Sequence, residues 1–385
     1  MKRNKMKICA IICEYNPFHN GHLHQLREAK RLSGADSILC IMSGNFVQRG
    51  EAAIMDKFTR AKHAIYAGAD VVIELPTVFA TSNAELFAKG AVHILSSIPS
   101  VSTLCFGCET ADKEAFIKTA KLLSKEPKEV SEKIKQAVSE GKSYAKARSE
   151  AWKGLISDEL LNSPNNILGL EYTKAILAKN SSIEILPIPR IGAKYNDEQL
   201  QENYSSASAI RIGIQNQTLI QNQVPDYVFK DLPKELDEAL DKLEKYAILS
   251  RSKAEIARVC DCNEGLENAL KKAAILNAPL IDTLTSARYT SSRIRRIALQ
   301  NLLKIDESFI RDALVNNLYL RILAIKKERQ DILTALSEAN CPIIARAHDE
   351  KLLSNISMAC FEKDIFAESI YKILYPITDN NKIFI

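Results

Sequence analysis

The six histidines of this 385-residue chain are unevenly distributed, and three of them follow a single apolar segment. Residues 12 to 25 read ICEYNPFHNGHLHQ, so that His19 and His22 flank Asn20 and Gly21. Two imidazoles at the end of a strand could bind a metal ion or an anion such as phosphate. A turn made of ordinary polar residues is the third interpretation.

Phosphate binding is the interpretation that this spacing favours. An i, i+3 histidine pair at a helix start does not direct both rings at one metal ion, as an i, i+4 pair does. Gly21 lets the backbone pass close to a ligand, and a helix that starts near Asn20 directs free N–H groups and partial positive charge at an anion. We therefore predict that His19 and His22 donate hydrogen bonds to a phosphate and stabilise charge that develops at phosphorus.

The cysteine pattern bears on a second type of metal site. Nine cysteines are scattered over the chain, which argues against a disulfide framework. The pairs Cys105/Cys108 and Cys260/Cys262 leave structural zinc open as an alternative to buried thiols, although a Cys-x-Cys pair is unlike the usual zinc spacing. We predict buried thiols and no metal site.

The elements that must position the histidines alternate along the first half of the chain. Apolar runs predict strands at 7–13, 37–42, 70–75, 102–107 and 182–188, and amphipathic segments predict helices at 20–33, 56–67, 83–97 and 111–139. This repetition predicts an α/β fold with a five-stranded parallel, doubly wound sheet. Ligands bind beyond the carboxyl ends of such strands, where loops rich in Gly, Asn and charged residues follow all five runs.

Two changes of pattern predict the domain organisation. Residues from about 111 to 156 look helical and rich in Lys and Glu, which predicts an insertion in a nucleotide-binding domain spanning 1–215. A stretch with two prolines follows, and helical periodicity then dominates 216–385, the predicted C-terminal domain. No apolar stretch approaches the length of a membrane span, and the short segment after the basic start lacks a cleavage pattern, so we expect a cytoplasmic protein.

Two motifs at the ends of the first predicted domain resemble the signatures of the HIGH nucleotidyltransferase superfamily, relatives of class I aminoacyl-tRNA synthetases. YNPFHNGHL resembles (F)-x-P-x-H-x-G-H-L, and YSSASAIR (204–211) matches Ser/Thr-x-x-x-Ile-Arg through Ser206, Ile210 and Arg211. The resemblance implies attack on the α-phosphate of a nucleotide with release of pyrophosphate. Ser206 and Ser208 would bind the β- and γ-phosphates, and Arg211 would add positive charge.

A closer resemblance covers most of the chain and is to the bacterial tRNA(Met) cytidine acetate ligases. It is carried by MSGNFVQRGEAA, GADVVIELP, FGCE, SPNNILGLEYTKA and LTSARYTSSRIRRIALQNLL as well as by the two motifs. It implies activation of acetate by ATP, with Mg²⁺, to acetyl-adenylate, followed by acetylation of the wobble cytidine of elongator tRNA(Met) to N4-acetylcytidine. The chain departs from the family at Cys108, where we expect serine.

The resemblance also implies the residues of the site. His19 and His22 would be catalytic, and Gly107, Asn165 or Asn166, and Arg190 would complete the ATP pocket. Taken alone, Gly107 could equally serve a tight turn, Asn165 a helix cap and Arg190 a surface ion pair. The full set predicted to bind ATP is Ile12, Cys13, Glu14, Tyr15, Asn16, Pro17, Phe18, His19, Asn20, Gly21, His22, Leu23, His24, Gln25, Gly107, Asn165, Asn166, Arg190, Ser206, Ser208 and Arg211.

Two basic segments are candidates for the other substrates. Lys57 and Arg60 are spaced i, i+3 on a predicted helix beyond Arg49, and they would bind acyl-adenylate or pyrophosphate unless they form a solvated helix face. The segment 288–304, RYTSSRIRRIALQNLLK, has no acidic residue and predicts tRNA contact rather than a merely amphipathic helix. Its candidate residues are Arg288, Arg293, Arg295 and Arg296.

Three alternative functions stay open. They are a small-molecule nucleotidyltransferase or adenylate-forming ligase of the same superfamily, a non-catalytic RNA-binding protein that kept the fold, and an acetyl-CoA-dependent acetyltransferase. The basic segment argues against the first, and the two intact motifs argue against the second and third. A net charge of +5 permits a polyanionic partner but does not by itself require one. No general base is assigned, because the cytidine amine could attack unaided, and the oligomeric state is not predicted.

Overall fold

The computed structural model describes residues 6–142, 144–191, 200, 204–233, 239–375 and 384–385. Its main feature is a seven-stranded sheet in the order β7-β6-β1-β2-β5-β8-β9, with a separate two-stranded hairpin of β3 and β4. The strands are β1 Ile8–Cys13, β2 Ser37–Ser43, β3 Phe46–Val47, β4 Glu51–Ala52, β5 Val71–Leu75, β6 Val101–Cys108, β7 Glu184–Pro189, β8 Leu320–Ile325 and β9 Ile343–Ile344.

The five predicted strands are all present and parallel to one another, which confirms the predicted α/β class. The sheet nevertheless has two more strands than the sequence predicts. β8 pairs antiparallel with β5, and β9 pairs parallel with β8. Both come from the C-terminal part of the chain, where a short apolar run between helices does not reveal its partner.

Helices cover both faces of the sheet. Successive strand residues point to opposite sides, and since both sets are apolar, both faces must be buried. Ile8, Ala10 and Ile12 face one core with α3, α4, α9 and α19, whereas Cys9 and Ile11 face another with α1, α2 and α10. The helices of the first 230 residues are α1 Asn20–Ser33, α2 Lys57–Ala67, α3 Thr77–Ala80, α4 Ala84–Leu95, α5 Lys113–Ser124, α6 Lys128–Ser139, α7 Tyr144–Trp152, α8 Asp158–Asn162, α9 Pro164–Ala178, α10 Ala207–Gln215 and α11 Asp226–Phe229.

The C-terminal part is mainly helical, and α12 to α16 surround a third, smaller core. Its helices are α12 Leu240–Ser250, α13 Lys253–Ala257, α14 Leu266–Ala273, α15 Leu280–Leu284, α16 Ser291–Leu303, α17 Glu307–Val315, α18 Asp331–Leu336 and α19 Asn355–Leu374, with short 3-10 helices at Gln221–Gln223 and Ala347–Leu352. The division at 215/216 stays a prediction, and β8 within the main sheet ties the two parts together. Among the described residues, no helix is long and apolar enough to cross a membrane.

The junction between β1 and α1 shows why the chain turns where it does. The Asn16–Pro17 peptide bond is cis, and His19 is the N-cap of α1, with an extended backbone and a ring that accepts a hydrogen bond from Gly21 N. The helix ends at Gly34, whose φ of 58° suits glycine. The carboxyl end of β1 therefore leads directly into a helix N-terminus.

Candidate active site

A cavity lies at the carboxyl ends of β1 and β6, with about 1100 Å³ of empty space that includes its open mouth. This is where ligands bind in open α/β sheets. Thirteen of the residues predicted to bind ATP line it. They come from β1, the loop after it, α1, β6, α9, the residue that follows β7, and α10 with its N-cap. They are Ile12, Cys13, Glu14, Asn16, His19, His22, Gln25, Gly107, Asn165, Arg190, Ser206, Ser208 and Arg211.

His19 and His22 form a fixed pair on one wall of this cavity. Their rings stack with centroids 3.7 Å apart and planes inclined by 27°. Nδ1 of His19 accepts a hydrogen bond from Gly21 N at 3.1 Å, and Nδ1 of His22 accepts one from His19 N at 3.3 Å. Because each Nδ1 acts as an acceptor, the neutral ring carries its proton on Nε2. Both imidazoles therefore have an Nε2–H that can donate to a ligand.

The surroundings keep both rings neutral. Burial, with a further contribution from the Arg190 guanidinium, lowers the pKa of His19 to about 3. Burial, then His19 and then Arg190, lower the pKa of His22 well below its ordinary value. Neutral imidazoles can donate a hydrogen bond without adding a full charge to the site. The positive charge that an anion would meet in this cavity comes instead from Arg49, Arg190 and Arg211.

Other residues of the predicted 12–25 stretch support the histidines rather than line the main cavity. Tyr15 and Phe18 are buried, and both rings pack against His22 with centroids 4.9 and 5.6 Å away. Gly21 and His24 line a smaller adjoining pocket. Asn20 donates its amide to the Asn222 carbonyl at 2.8 Å. Pro17 and Leu23 are absent from the linings of both pockets.

Asn165 and Asn166 have different positions, which the sequence could not separate. Asn165 lines the cavity, where Arg190 Nη1 donates to its Oδ1 at 3.5 Å and its own amide donates to Glu109. Asn166 is fully buried, and its Oδ1 accepts from the backbone N–H groups of Glu109 and Thr110. Asn166 thus holds the loop after β6, and Asn165 is the one that a ligand can reach.

The second motif meets the first at this cavity. Ser206 is the N-cap of α10, and its Oγ accepts from Ala209 N at 3.0 Å. Arg211 Nη1 donates to the Asn16 carbonyl at 2.9 Å, and its Nη2 donates to Ser208 Oγ at 3.4 Å. The N-terminus of α10, with its partial positive charge, therefore opens onto the same space as the histidine pair.

Sequence reasoning missed the apolar wall of the cavity. Phe87 on α4, Phe106 on β6, and Leu168 and Tyr172 on α9 line it. In the sequence these residues are indistinguishable from core positions of their elements, and only the tertiary fold opens one side of them. An aromatic and aliphatic wall is the usual contact surface for a flat heterocycle. The remaining lining residues outside the predicted set are Val47, Gln48, Arg49 and Ala207.

Lys57 and Arg60 require a correction, because the structure does not leave them available to a substrate. Lys57 is 1% exposed and donates to both carboxylate oxygens of Glu74 at 2.8 and 2.9 Å. Arg60 is fully buried and donates to the carbonyls of Glu14, Ser43, Gly44 and Met55. The i, i+3 spacing does place both on one helix face, but that face packs inward. Arg60 ties together the carboxyl ends of β1 and β2.

The four arginines of the basic segment also differ from one another. Arg288 precedes α16 and has a 62% exposed side chain, and Arg295 is 35% exposed. Arg293 is 19% exposed and donates to the Asp261 carbonyl, and Arg296 is 14% exposed beside the Asp261 carboxylate. The four predicted tRNA contacts are therefore not equally accessible: Arg288 and Arg295 are the more exposed, and the other two hold the Asp261 loop. Contact with tRNA stays a prediction.

The two cysteine pairs do not form zinc sites. Cys105 and Cys108 point into different cores on opposite faces of the sheet, and Cys260 and Cys262 likewise belong to different cores. Cys108, where serine is expected, is buried and donates to the Ile188 carbonyl at 3.4 Å. In the described part of the chain, no group of three or more His, Cys, Asp or Glu side chains could hold a metal ion.

The chain is similar to known proteins over nearly its full length, including the residues that line the cavity. The family model of the HIGH nucleotidyl transferases matches residues 6–383. The tRNA(Met) cytidine acetate ligase of Caldanaerobacter subterraneus is 39% identical over 386 residues, 96% of each chain, and that of Clostridium perfringens is 38% identical over 392 residues, again 96% of each.

Two solved structures are similar over nearly the full length. The crystal structure of apo Thermotoga maritima TmcAL matches with a TM-score of 0.88 and 29% sequence identity, covering 98% of this chain and 97% of that one. The structure of the same protein bound with alpha-thio ATP matches with a TM-score of 0.87 and 28% identity over the same shares.

Proposed function

The chain belongs to the HIGH nucleotidyl transferase family and, within it, to the tRNA(Met) cytidine acetate ligases, and on that basis we propose the reaction that its cavity carries out. The protein is an ATP-dependent ligase that acetylates the wobble cytidine of elongator tRNA(Met). Acetate attacks the α-phosphorus of ATP, pyrophosphate leaves, and acetyl-adenylate forms. The N4 amine of the cytidine then attacks the acetyl carbon, AMP leaves, and the amine loses a proton to give N4-acetylcytidine.

The observation that carries this proposal is the meeting of the two motifs around one cavity, joined by the Arg211–Asn16 hydrogen bond of 2.9 Å. The Nε2–H groups of His19 and His22 would donate to the α-phosphate oxygens, where negative charge increases as acetate attacks. Since both rings are neutral and held through Nδ1, they need no reorganisation during the reaction.

The rest of the nucleotide fits the remaining walls. Ser206, Ser208 and the first N–H groups of α10 would bind the β- and γ-phosphates, with Arg211 supplying charge. Phe106 and Tyr172 offer an apolar surface to adenine, and Asn165 can donate to and accept from the base or ribose. Gly107 has no side chain, so adenosine can approach the end of β6 closely. We assign the acetate to the space between the histidine pair and Arg190.

Mg²⁺ is proposed as the companion of ATP. This ion usually keeps several waters and is bound through substrate phosphates and one or two carboxylates. Glu14 is the carboxylate among the described lining residues, and its Oε1 accepts from Gln48 N at 2.7 Å. This donor set fits an ion carried in mainly by the nucleotide. The Mg²⁺ would neutralise phosphate charge, while the chain's own residues orient the α-phosphate.

For tRNA, the accessible arginines Arg288 and Arg295 are the proposed phosphate contacts. The ring centroid of Tyr289 lies 5.5 Å from Arg288 Cζ and 5.3 Å from Arg293 Cζ. Such contacts supply affinity without reading sequence. Given these substrates, we place the enzyme in the cytoplasm. The small-molecule ligase of the same superfamily is the second candidate, and it would need no such surface.

The deciding experiment incubates the protein with ATP, Mg²⁺, isotopically labelled acetate and unmodified elongator tRNA(Met), and then analyses the tRNA nucleosides by mass spectrometry. We expect labelled N4-acetylcytidine at the wobble position and one AMP per acetyl group. Initiator tRNA(Met) is the matched control, in which no label is expected. Acetate-dependent pyrophosphate exchange without any labelled nucleoside would overturn the tRNA ligase assignment in favour of the small-molecule one.

A further inference from the structure

Glu51 lies between the two binding regions of the enzyme. It is the first residue of β4, in the hairpin that follows β2. Its Oε1 accepts from Arg295 Nη1 at 2.7 Å, and its Oε2 lies 3.5 Å from Arg211 Nη2. Arg295 belongs to the proposed tRNA-binding helix α16, and Arg211 belongs to the motif assigned to the polyphosphate. One carboxylate therefore partly neutralises two guanidinium groups, of which one is proposed to bind tRNA and the other the polyphosphate of ATP.

The hairpin itself connects the same two regions through its backbone. On one side Val47, Gln48 and Arg49 line the nucleotide cavity. At the turn, Gly50 has a φ of 77°, and a Cβ there would lie 2.4 Å from Arg296 N. The turn is thus pressed against the backbone of α16 with no room for a side chain. A displacement of α16 relative to the sheet would reach the cavity wall through this contact.

We propose that Glu51 is a positioning residue that couples tRNA binding at α16 to the strength of polyphosphate binding by Arg211, an inference that rests on the proposed function. A tRNA phosphate that pairs with Arg295 competes with the Glu51 carboxylate for that guanidinium. Glu51, 25% exposed and already adjacent to Arg211, then pairs with Arg211 more fully. Arg211 offers less charge to the polyphosphate, and pyrophosphate leaves more readily once tRNA has arrived.

The distances support this direction of exchange. The Glu51–Arg295 pair is the shorter one, so Arg295 holds the carboxylate in the absence of RNA. Arg211 meanwhile keeps its own hydrogen bond to Asn16 O at 2.9 Å, which fixes the guanidinium in place for either state. The three side chains are 17% to 35% exposed. The exchange of ion-pair partners therefore leaves no buried charge unpaired.

The test measures the affinity of full-length protein for α,β-methylene-ATP, whose α–β linkage cannot be cleaved, with and without unmodified elongator tRNA(Met). For the wild type we expect tRNA to weaken analogue binding about three- to fivefold, a range typical of one partly exposed ion pair. By linkage, the analogue must weaken tRNA binding by the same factor. Absence of any mutual effect in the wild type would overturn the proposal.

Two substitutions should change the analogue affinity in opposite directions, which distinguishes loss of coupling from a general loss of structure. Glu51→Gln unmasks Arg211, and we expect tighter analogue binding without tRNA and no effect of added tRNA. Arg295→Gln leaves Glu51 to Arg211 alone, and we expect weaker analogue binding without tRNA and again no effect of tRNA. Persistence of the wild-type tRNA effect in Glu51→Gln would refute the assigned role, and so would equal shifts of the same sign in both variants.

Glu264→Gln is the matched control. Glu264 also pairs with two arginines of the basic segment, Arg288 at 3.3 Å and Arg293 at 3.7 Å, but it does not lie among the cavity-lining residues. This variant is expected to keep the full tRNA effect on analogue affinity. The readout is also distinct from the acetylation assay: a wild type that couples the two ligands without acetylating tRNA contradicts the proposed function alone, and acetylation without coupling contradicts this inference alone.

Discussion

His22 stacks on His19 at the start of α1, and the backbone N–H of His19 donates to the ring of His22. The pair is therefore a single unit in which one residue's main chain fixes the other residue's tautomer. Tyr15 and Phe18 pack around His22 and limit its rotation. Removal of either imidazole disturbs both the hydrogen-bond donors of the cavity and the cap of the helix.

His22→Ala should strongly slow adenylation while tRNA binding is retained. Loss of one preorganised donor from a charge-stabilising site costs about 10² to 10³ in rate. The measurement is acetate-dependent exchange of labelled pyrophosphate into ATP, together with the affinity for tRNA. His348→Ala, at a 70% exposed position, is the control and should exchange normally. Exchange by His22→Ala at the wild-type rate would refute the role given to this ring.

The buried histidines should make the enzyme less stable below neutral pH. The pKa of His19 is about 3 in the folded chain and near 6.5 when unfolded, so the unfolded chain binds more protons between these values. The contribution of His19 to the free energy of unfolding is therefore constant above about pH 6.5 and decreases as the pH falls toward 3. His19 alone should remove about 2 kcal/mol between pH 7.5 and 5.

This pH effect is measured by urea unfolding at pH 7.5 and 5.0, for the wild type and for His19→Gln. The variant loses the titrating group, so its free energy of unfolding should fall by about 2 kcal/mol less over the same interval. The comparison cancels the contributions of other groups. Equal falls in the two proteins would mean that His19 is not held neutral in the folded state.

Gly107→Ala should impair ATP binding without harming the fold. An added Cβ would meet Arg190 Cγ at 3.5 Å and Gln25 Cδ at 4.0 Å, which are ordinary contacts, but the methyl group would occupy the cavity wall. We expect an unchanged unfolding midpoint and about tenfold weaker binding of ATP, the effect of one misplaced carbon in a fitted pocket.

Gly90→Ala provides the contrasting control for that substitution. A Cβ at Gly90 would lie 2.1 Å from Phe79 Cγ in the core, and neither residue lines the cavity. This variant should lose stability, whereas ATP binding by the remaining folded protein should be normal. If Gly107→Ala bound ATP as tightly as the wild type does, adenosine would not approach the end of β6.

Lys57→Met should destabilise the protein by up to about 3–5 kcal/mol, because it removes one of the two cations that neutralise the buried Glu74 carboxylate. Lys57 lies 2.8 Å from Glu74 and 3.1 Å from Glu368, and Arg321 shares both carboxylates. Lys89→Met, which breaks the exposed pair with Glu85, should cost less than about 1 kcal/mol. Chemical unfolding measures both. A stable Lys57→Met that fails only in substrate binding would restore the substrate contact predicted from the sequence.

The sequence predicts the parallel half of the fold well, for a physical reason. Strands buried on both faces are continuous apolar runs, and the loops after them carry the unusual residues. The five strands β1, β2, β5, β6 and β7 and the motif positions can therefore be predicted from local sequence. β8 is a similar run, LRILAI, but it stands among helices, and its antiparallel pairing with β5 depends on contacts some 250 residues apart.

Positions whose role depends on packing were harder to predict. Lys57 and Arg60 are charged, and charge in a sequence suggests solvent, yet here an inward helix face pairs them with buried carboxylates and carbonyls. Phe87 and Tyr172 look like core residues in the sequence. Helix periodicity predicts which side of a helix is apolar, but it does not predict whether that side packs against a neighbouring element or lines a cavity. Asn165 and Asn166 are adjacent, and only the helix geometry separates ligand-facing from structural.

The antiparallel pairing of β8 with β5 has a consequence for how the enzyme can be divided. β5 is fully buried and apolar at every position except Glu74, and without β8 one row of its N–H and C=O groups would be exposed. A fragment that ends near residue 215 would retain the motifs but would have β5 as an unpaired edge strand, which other copies could pair with. The C-terminal half therefore protects the sheet against self-association.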